Sequence, residues 1–196
     1  SMLRNHNNLP PIILEAQNHG FKTFINSNYD MNIIAARNPE PRHNEFDDLL
    51  HVVYRKQNRY VERIFPCTID AGKYYMENPA RKDGTAVLMH PYQYRAAFTF
   101  GKHRGKYDCL VQRFAIPVWR EKGGTMDIDE FLPSEAHAIQ IHKSSSSETS
   151  TQVDRWSAGC IVLQTGFSKF MDLCRAQEMN LGSPVFSLTI LKGRFL

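Results

Sequence analysis

Most apolar residues of this chain fall in short runs that are rich in β-branched and aromatic side chains. The clearest pair is LLHVVYRK (49–56) and RYVERIFPCTI (59–69), which only Gln57 and Asn58 separate. Two turn-forming residues between two such runs predict a β-hairpin. Further runs of the same character predict more strands: KYYM (73–76), TAVLM (85–89), AAFTF (96–100), CLVQRFAIPVWR (109–120, with Pro117 at an edge or bulge), AIQIH (138–142) and VFSLTIL (185–191).

Two segments have helical character. Residues 12–20 predict a short helix that ends at a glycine, and residues 21–25 predict an extended segment after it. In residues 167–177 the apolar positions recur at helical spacing, which predicts one amphipathic helix. Many strands with one or two short helices predict a mostly β (β-rich α+β) fold, either a β-sandwich or a partly closed barrel.

The chain has 196 residues and a formal net charge of +4, which fits one globular domain with a mildly basic surface. Its Lys and Arg residues are interleaved with Asp and Glu, whereas nucleic-acid binders usually concentrate them in one stripe. We therefore expect no nucleic-acid partner. No signal peptide is visible and no segment has transmembrane length, so we expect no membrane span, while the compartment and the oligomeric state stay open.

The four cysteines stand far apart and form no CxxC pair, which argues against a zinc site or a thioredoxin motif. We therefore expect no metal, and the chemistry suggested below needs no organic cofactor. Three of the four stand among apolar neighbours and are predicted to be small buried hydrophobes, namely Cys67, Cys109 and Cys174.

Cys160 has different surroundings. A predicted strand ends at His142, a polar loop follows, and Gly159 stands directly before Cys160. A neighbouring imidazole can take the proton of a thiol and hold the pair as thiolate and imidazolium, which makes the sulfur a strong nucleophile. A glycine before the cysteine keeps bulk away from backbone N–H groups that can stabilise an oxyanion. The pattern predicts a cysteine acyl-transfer enzyme.

The element that joins His142 to Cys160 resembles the signature of L,D-transpeptidase catalytic domains of the YkuD type. It consists of the histidine, a loop of fourteen residues, Ser157, one residue, Gly159, the cysteine and an apolar residue. The length of the loop fits the signature. Its spacing is the most specific part of the resemblance.

Two positions depart from that signature, since Ala158 stands where it has a second histidine and Val162 where it has a polar residue. Other segments resemble a bacteriophage and bacterial branch of the same family, and together they cover most of residues 29–190. The resemblance therefore implies an N-terminal extension with a short helix (1–28) and an L,D-transpeptidase-like catalytic domain (29–196). The segments are 29–37, 46–55, 68–79, 101–113 and 139–160.

The resemblance implies a cysteine acyltransferase that acts on the stem peptide of peptidoglycan and needs neither metal nor cofactor. Cys160 is then the nucleophile and His142 the general base, with the backbone carbonyl of Lys143 orienting the imidazole. The amides of Gly159 and Cys160 are then the oxyanion hole. Ser157 fits two roles, a second hydroxyl near the thiol or a turn residue.

Substrate contacts are expected from basic and aromatic residues, because cationic groups suit the carboxylates of a peptide stem. The basic residues also fit an exposed charged loop, and the aromatic residues also fit packing within the fold. The candidates are His103, Arg104, Tyr107, Tyr94 and Trp156.

Two other functions remain open at this point. A hydrolytic L,D-carboxypeptidase or endopeptidase of phage or toxin type shares the acylation step and differs only in using water as the acceptor. A catalytically silent module that binds the cell wall is the alternative outside enzymology.

Overall fold

The structure is a computed structural model, and it describes residues 1–40, 45–69, 84–121, 131–144 and 159–196. Within these ranges the chain forms twelve strands and two helices. In chain order they are β1 (Met2–His6), α1 (Pro11–Asn18), β2 (Asn32–Arg37), β3 (Asp48–Lys56), β4 (Arg59–Thr68), β5 (Thr85–Val87), β6 (Tyr92–His103), β7 (Tyr107–Gln112), β8 (Ile116–Glu121), β9 (Leu132–Ala136), β10 (Gln140–Lys143), β11 (Ile161–Leu163), α2 (Phe167–Leu181) and β12 (Val185–Lys192). The strand predicted at 73–76 lies outside the described residues.

Eight strands close into a barrel in the order β4-β11-β10-β7-β6-β12-β2-β3, because β3 pairs back with β4. The β10–β11 and β12–β2 pairs are parallel, and the other pairs of the ring are antiparallel. β1 lies outside the ring and pairs with the first half of β4. The prediction of a mostly β fold is confirmed, and the barrel is fully closed rather than partly closed.

The β3–β4 hairpin has the turn that its sequence predicts. Gln57 and Asn58 have φ angles of 52° and 62°, the left-handed values that a two-residue turn of type I′ requires at both positions. The ladder runs without a break from the pair Lys56 and Arg59 to the pair Asp48 and Cys67. This is the longest uninterrupted ladder of the barrel wall.

Both predicted helices are present. α1 coincides with the segment predicted at residues 12–20, and Gly20 follows it with a φ of 78°. Residues 21–25 form no strand. α2 extends beyond the predicted 167–177 and ends at Gly182, which has a left-handed φ of 66°. Neither helix in the described parts of the chain is long and apolar enough to cross a membrane.

The main core lies on the inner face of the barrel. Alternate strand residues such as Leu50, Val52 and Phe98 point into it and are fully buried. α2 packs against the same core, where the rings of Phe65 and Phe170 meet edge to face with centroids 6.1 Å apart. The other set of alternating side chains therefore faces outward, which becomes important for the site below.

A second core on the outer face joins the N-terminal residues to the barrel. Ile12, Ile13 and Ala16 of α1 are buried against Ile34 of β2 and Val53 of β3. Together with the β1–β4 ladder, this core ties residues 1–28 to the wall of the barrel.

β5, β8 and β9 form a separate three-stranded sheet whose inner residues, such as Val118, join the main core. The prediction of one strand over 109–120 is wrong, because the chain leaves the barrel after β7 and enters the small sheet as β8. The turn between them is fixed by the N–H of Arg113, which donates to the carbonyl of Ala97 at 2.8 Å. Pro117 pairs with β9 at a point that β5 does not reach, in agreement with the edge position predicted for it.

A buried carboxylate connects three strands on the outer face. Glu62 on β4 accepts a hydrogen bond from His51 Nδ1 of β3 at 2.8 Å and one from His6 Nε2 of β1 at 2.9 Å. Burial raises the pKa of Glu62, but the hydrogen bonds and charge interactions from the two histidines outweigh it and lower the pKa below its ordinary value. The ionised carboxylate therefore stabilises the attachment of β1.

This network predicts a pH-dependent stability. The pKa of Glu62 is lower in the folded protein than in the unfolded chain. Ionised Glu62 therefore stabilises the fold above the ordinary carboxyl pKa of about 4.3, and this stabilisation is lost as the pH falls through the pKa of the folded state. We expect Glu62→Gln to reduce the free energy of unfolding by about 1–3 kcal/mol near neutral pH, with a smaller difference from wild type below about pH 4. Urea unfolding across this range measures it, with exposed Glu178→Gln as control. A difference that does not change with pH would contradict the assignment.

Candidate active site

The parallel strands β10 and β11 bring His142 and Cys160 to one face of the barrel wall. Ile141 lies opposite Ile161, and both side chains are buried in the main core. Side chains alternate along a strand, so the residue next to each isoleucine faces the other way. His142, next to Ile141, and Cys160, next to Ile161, therefore belong to the outer face. The backbone N–H of Gln140 donates to the sulfur of Cys160 at 3.3 Å, so the thiol lies directly beside β10.

The imidazole of His142 is oriented by the main chain. Its Nδ1 lies 2.9 Å from the carbonyl oxygen of Lys143. A carbonyl only accepts hydrogen bonds, so Nδ1 carries the proton and Nε2 carries the lone pair of the neutral ring. Lys143 thus acts through its backbone, and its Nζ lies 4.5 Å from the centre of the Tyr107 ring. The hydroxyl of Tyr107 also donates to the Lys143 carbonyl, at 3.4 Å.

His103, at the end of β6, stacks on the ring of His142. The ring centroids of His103 and His142 are 4.3 Å apart and their planes differ by 18°. Nδ1 of His103 lies 2.6 Å from Oε1 of Gln140. The ring of Tyr107 lies on the other strand of the same hairpin, 5.2 Å from His103. The β6–β7 hairpin therefore brings two of the predicted substrate residues to the candidate catalytic pair.

At neutral pH the pair is uncharged. Burial raises the pKa of the Cys160 thiol to about 11, although the N–H of Gln140 favours the thiolate. Burial lowers the pKa of His142 to about 4; the Lys143 carbonyl opposes this shift, while His103 and Arg104 add to it. Both directions are opposite to those that the expected thiolate–imidazolium pair requires. At rest Cys160 is therefore a thiol and His142 a neutral imidazole.

The four cysteines differ in exposure. Cys67, Cys109 and Cys174 are fully buried, which confirms the prediction that they are small core residues. Cys160 keeps partial exposure and is the only one of the four to do so. Burial also raises the pKa of Cys109 and Cys174. Cys160 is therefore the most accessible of the four cysteines.

Gly159 occupies a position that excludes a side chain. Its φ is +106°, and a Cβ atom placed there would lie 2.7 Å from the carbonyl oxygen of Ala86. The chain therefore passes close to β5 just before Cys160. Ser157 and Trp156, which the sequence also suggests as site residues, lie outside the described residues, as does Ala158.

Two other predicted substrate residues lie in very different places. Arg104 is exposed at the turn of the β6–β7 hairpin, near enough to His142 for its charge to lower the pKa of that ring. Tyr94 is 2% exposed and belongs to the main core. Its hydroxyl donates to the carbonyl of Pro117 and accepts from the N–H of Met89, each at 2.9 Å. The structure does not bring Tyr94 together with His142.

Gln140 is a site residue that the sequence analysis missed. Its backbone contacts the sulfur and its side chain anchors His103. Strand alternation carried the signal for it, because a residue two positions before His142 on a strand shares its face.

The close approach of Gly159 to β5 predicts that adding a methyl group at this position destabilises the protein. We expect Gly159→Ala to destabilise the protein by roughly 1–3 kcal/mol, because its backbone conformation suits only glycine and the new Cβ would meet a backbone oxygen. Gly105→Ala is the matched control, since Gly105 also has a positive φ of 70° but nothing within 4 Å of its Cβ position. Urea unfolding of both variants measures the difference. Equal losses would show that the approach to Ala86 is not limiting.

Comparison of the chain with protein-family models, with curated proteins and with solved structures finds no match in any of the three. The family suggested by the element from His142 to Cys160 therefore remains a prediction.

Proposed function

We propose that this protein is a cysteine acyltransferase that acts on peptidoglycan stem peptides, with Cys160 as nucleophile and His142 as general base. The observation that carries the proposal is that His142 lies on β10 and Cys160 directly before the adjacent parallel strand β11, with the sulfur held against β10 by the N–H of Gln140. The orientation of the imidazole by the Lys143 carbonyl supports it, because the nitrogen with the lone pair is then the one available for proton transfer. The stem peptide as substrate comes from the sequence resemblance alone.

The uncharged resting pair defines the order of events. As the sulfur attacks the carbonyl carbon on the L side of the bond to a terminal D-residue, Nε2 of His142 accepts the thiol proton. The tetrahedral intermediate collapses when the C–N bond breaks and the imidazolium returns that proton to the leaving amine. The D-residue departs and a thioester on Cys160 remains. An amine of a second stem then attacks the thioester carbonyl and the C–S bond breaks. The proton of that amine passes through His142 to the departing sulfur, which regenerates the thiol.

The oxyanion of the intermediate needs donors close to the sulfur. We expect the backbone N–H groups of Gly159 and Cys160 to be these donors, because no side chain at Gly159 shields them. The missing side chain also lets the chain approach β5 at this point. Ser157 is a further candidate donor.

Recognition of the stem peptide is assigned to the basic residues around the pair. Arg104 is exposed at the hairpin turn, and its charge acts on both His142 and Tyr107. The ammonium group of Lys143 lies over the Tyr107 ring nearby. A peptide that ends in a carboxylate meets two cationic side chains here, with His103 and Tyr107 forming the wall beside them.

The covalent step is tested by intact mass spectrometry. Wild-type protein incubated with tetrapeptide fragments of peptidoglycan, or with a carbapenem, is expected to gain one acyl group on Cys160. Cys160→Ala should give no adduct, and His142→Ala should form it about 10²–10⁴ times more slowly, as the loss of a general base predicts.

Two matched variants control this experiment. Cys174→Ala removes a buried thiol on α2, and His137→Ala removes a histidine whose side chain is 67% exposed. Both should be acylated like wild type. A wild-type protein that forms no adduct with either reagent would refute the proposal and favour the silent binding module. Cross-linked dimers among the products indicate transfer, whereas shortened stems alone indicate the hydrolytic alternative.

Arg104 predicts a specific effect on substrate affinity. We expect Arg104→Gln to raise KM about two- to five-fold, with little change in kcat, as the loss of one exposed ion pair predicts. The effect should vanish when the terminal carboxylate of the peptide is replaced by an amide. Lys169→Gln, an exposed charge change on α2, is the control. An equal rise in KM with the amidated peptide would exclude carboxylate recognition by Arg104.

A further inference from the structure

We infer that His103 is a positioning residue for the general base: it holds the plane of the His142 ring and adds to the burial that disfavours protonation of that ring. The inference rests on the proposed role of His142. It deepens that proposal, since it assigns the control of the base to a residue on another strand.

The His103 ring is itself held in place by a hydrogen bond. Its Nδ1 lies 2.6 Å from Oε1 of Gln140, and an amide oxygen only accepts, so this nitrogen carries the proton. Gln140 lies in β10, two residues before His142, and faces the same side. His103 is thus anchored to the strand that carries the base.

The stacking of His103 on His142 restricts the orientation of the His142 ring. At 4.3 Å between centroids and 18° between planes, the two imidazoles lie face to face, so rotation of His142 about its side-chain bonds is blocked on that side. The hydrogen bond to the Lys143 carbonyl fixes the ring at Nδ1. One contact fixes the edge of the ring and the other fixes its face.

Positive charge close to the His142 ring disfavours its protonation. Two imidazoles this close disfavour simultaneous protonation, so a proton on His103 opposes a proton on His142. The charges of His103 and Arg104 both act in this direction, in addition to burial. Among the described residues, the titratable groups around His142 are His103 on β6, Arg104 in the turn, Tyr107 and Cys109 on β7, Lys143 on β10 and Cys160 before β11.

Gln140 also joins the two halves of the site. Its backbone N–H donates to the sulfur of Cys160 while its side chain holds His103. A displacement of His103 therefore releases an anchor on the same residue that supports the nucleophile. Substitution of the Gln140 side chain leaves the backbone contact to sulfur available and removes only the anchor.

Three variants test the inference. His103→Ala removes the stacking and the charge, His103→Phe keeps a stacked ring without charge, and Gln140→Met removes the anchor. His137→Ala, near the start of β10, is the matched control. Thermal unfolding identifies any variant that does not fold, in which case the remaining two carry the test.

The first measurement is the titration of His142 by NMR in protein with labelled histidine, which needs no substrate. In wild type this ring is expected to titrate at about pH 4. In His103→Ala and His103→Phe we expect its midpoint to rise by about one pH unit, because a neighbouring positive charge is gone. An unchanged midpoint in both variants would overturn the inference about charge.

The second measurement is the pH profile of Cys160 acylation. We expect the acid limb to move to higher pH with the NMR midpoint in both His103 variants. The plateau rate should fall about ten-fold in His103→Ala and Gln140→Met, and less than about three-fold in His103→Phe, since a stacked ring still positions the base. Equal plateau rates in wild type and His103→Ala would overturn the positioning role.

The two proposals fail in different ways. If wild-type protein is never acylated but the His142 titration responds to His103→Ala and His103→Phe, the enzymatic proposal fails and the effect of His103 on the ring stands. If acylation proceeds and neither the titration nor the rate responds, the enzymatic proposal stands and the inference about His103 fails.

Discussion

The pairing of β3 with β4 is the interaction on which the rest of the structure depends, because it closes the barrel. β4 pairs along one edge with all of β3, and along its other edge with β1 first and then with β11. Thr68 and Cys67, the last two residues of β4, pair with Val162 and Leu163, so the hairpin that closes the barrel also holds the strand that follows Cys160. Closure gives the inner side chains and α2 one enclosed core. The candidate site lies on the outer face of the same wall.

Alternation along the strands then gives the inner and outer faces of the barrel wall different sets of side chains. Ile141 and Ile161 are committed to the core, and this commitment orients the side chains next to them outward. The outer face is not simply solvated, since His142 is only 3% exposed. Burial suppresses charge on the thiol and on the imidazole alike. The proposed acyl transfer therefore requires proton transfer during attack, since no ion pair is formed beforehand.

Local patterns predicted a large part of this protein. The hairpin turn at Gln57 and Asn58, both helices, the burial of three cysteines and the mostly β fold all follow from turn chemistry, periodicity and composition. The spacing from His142 to Cys160 along the chain indicated a candidate site. Other assignments from the sequence were incomplete. Tyr94 was grouped with substrate residues but lies in the core, and the role of Gln140 was missed.

These differences have one physical cause. Periodicity, turn residues and motif spacing depend on near neighbours in the chain, so the sequence by itself determined many of the strands, the two helices and which residues are candidates for the chemistry. The partners of those segments depend on contacts between residues far apart in the chain, and several pairings satisfy the same local pattern. Only the tertiary structure decided that β7 and β8 enter different sheets, that the barrel closes, and that His103 stacks on His142. The charge state of the site was likewise decided by folding, because burial sets it and burial is a property of the whole packed chain.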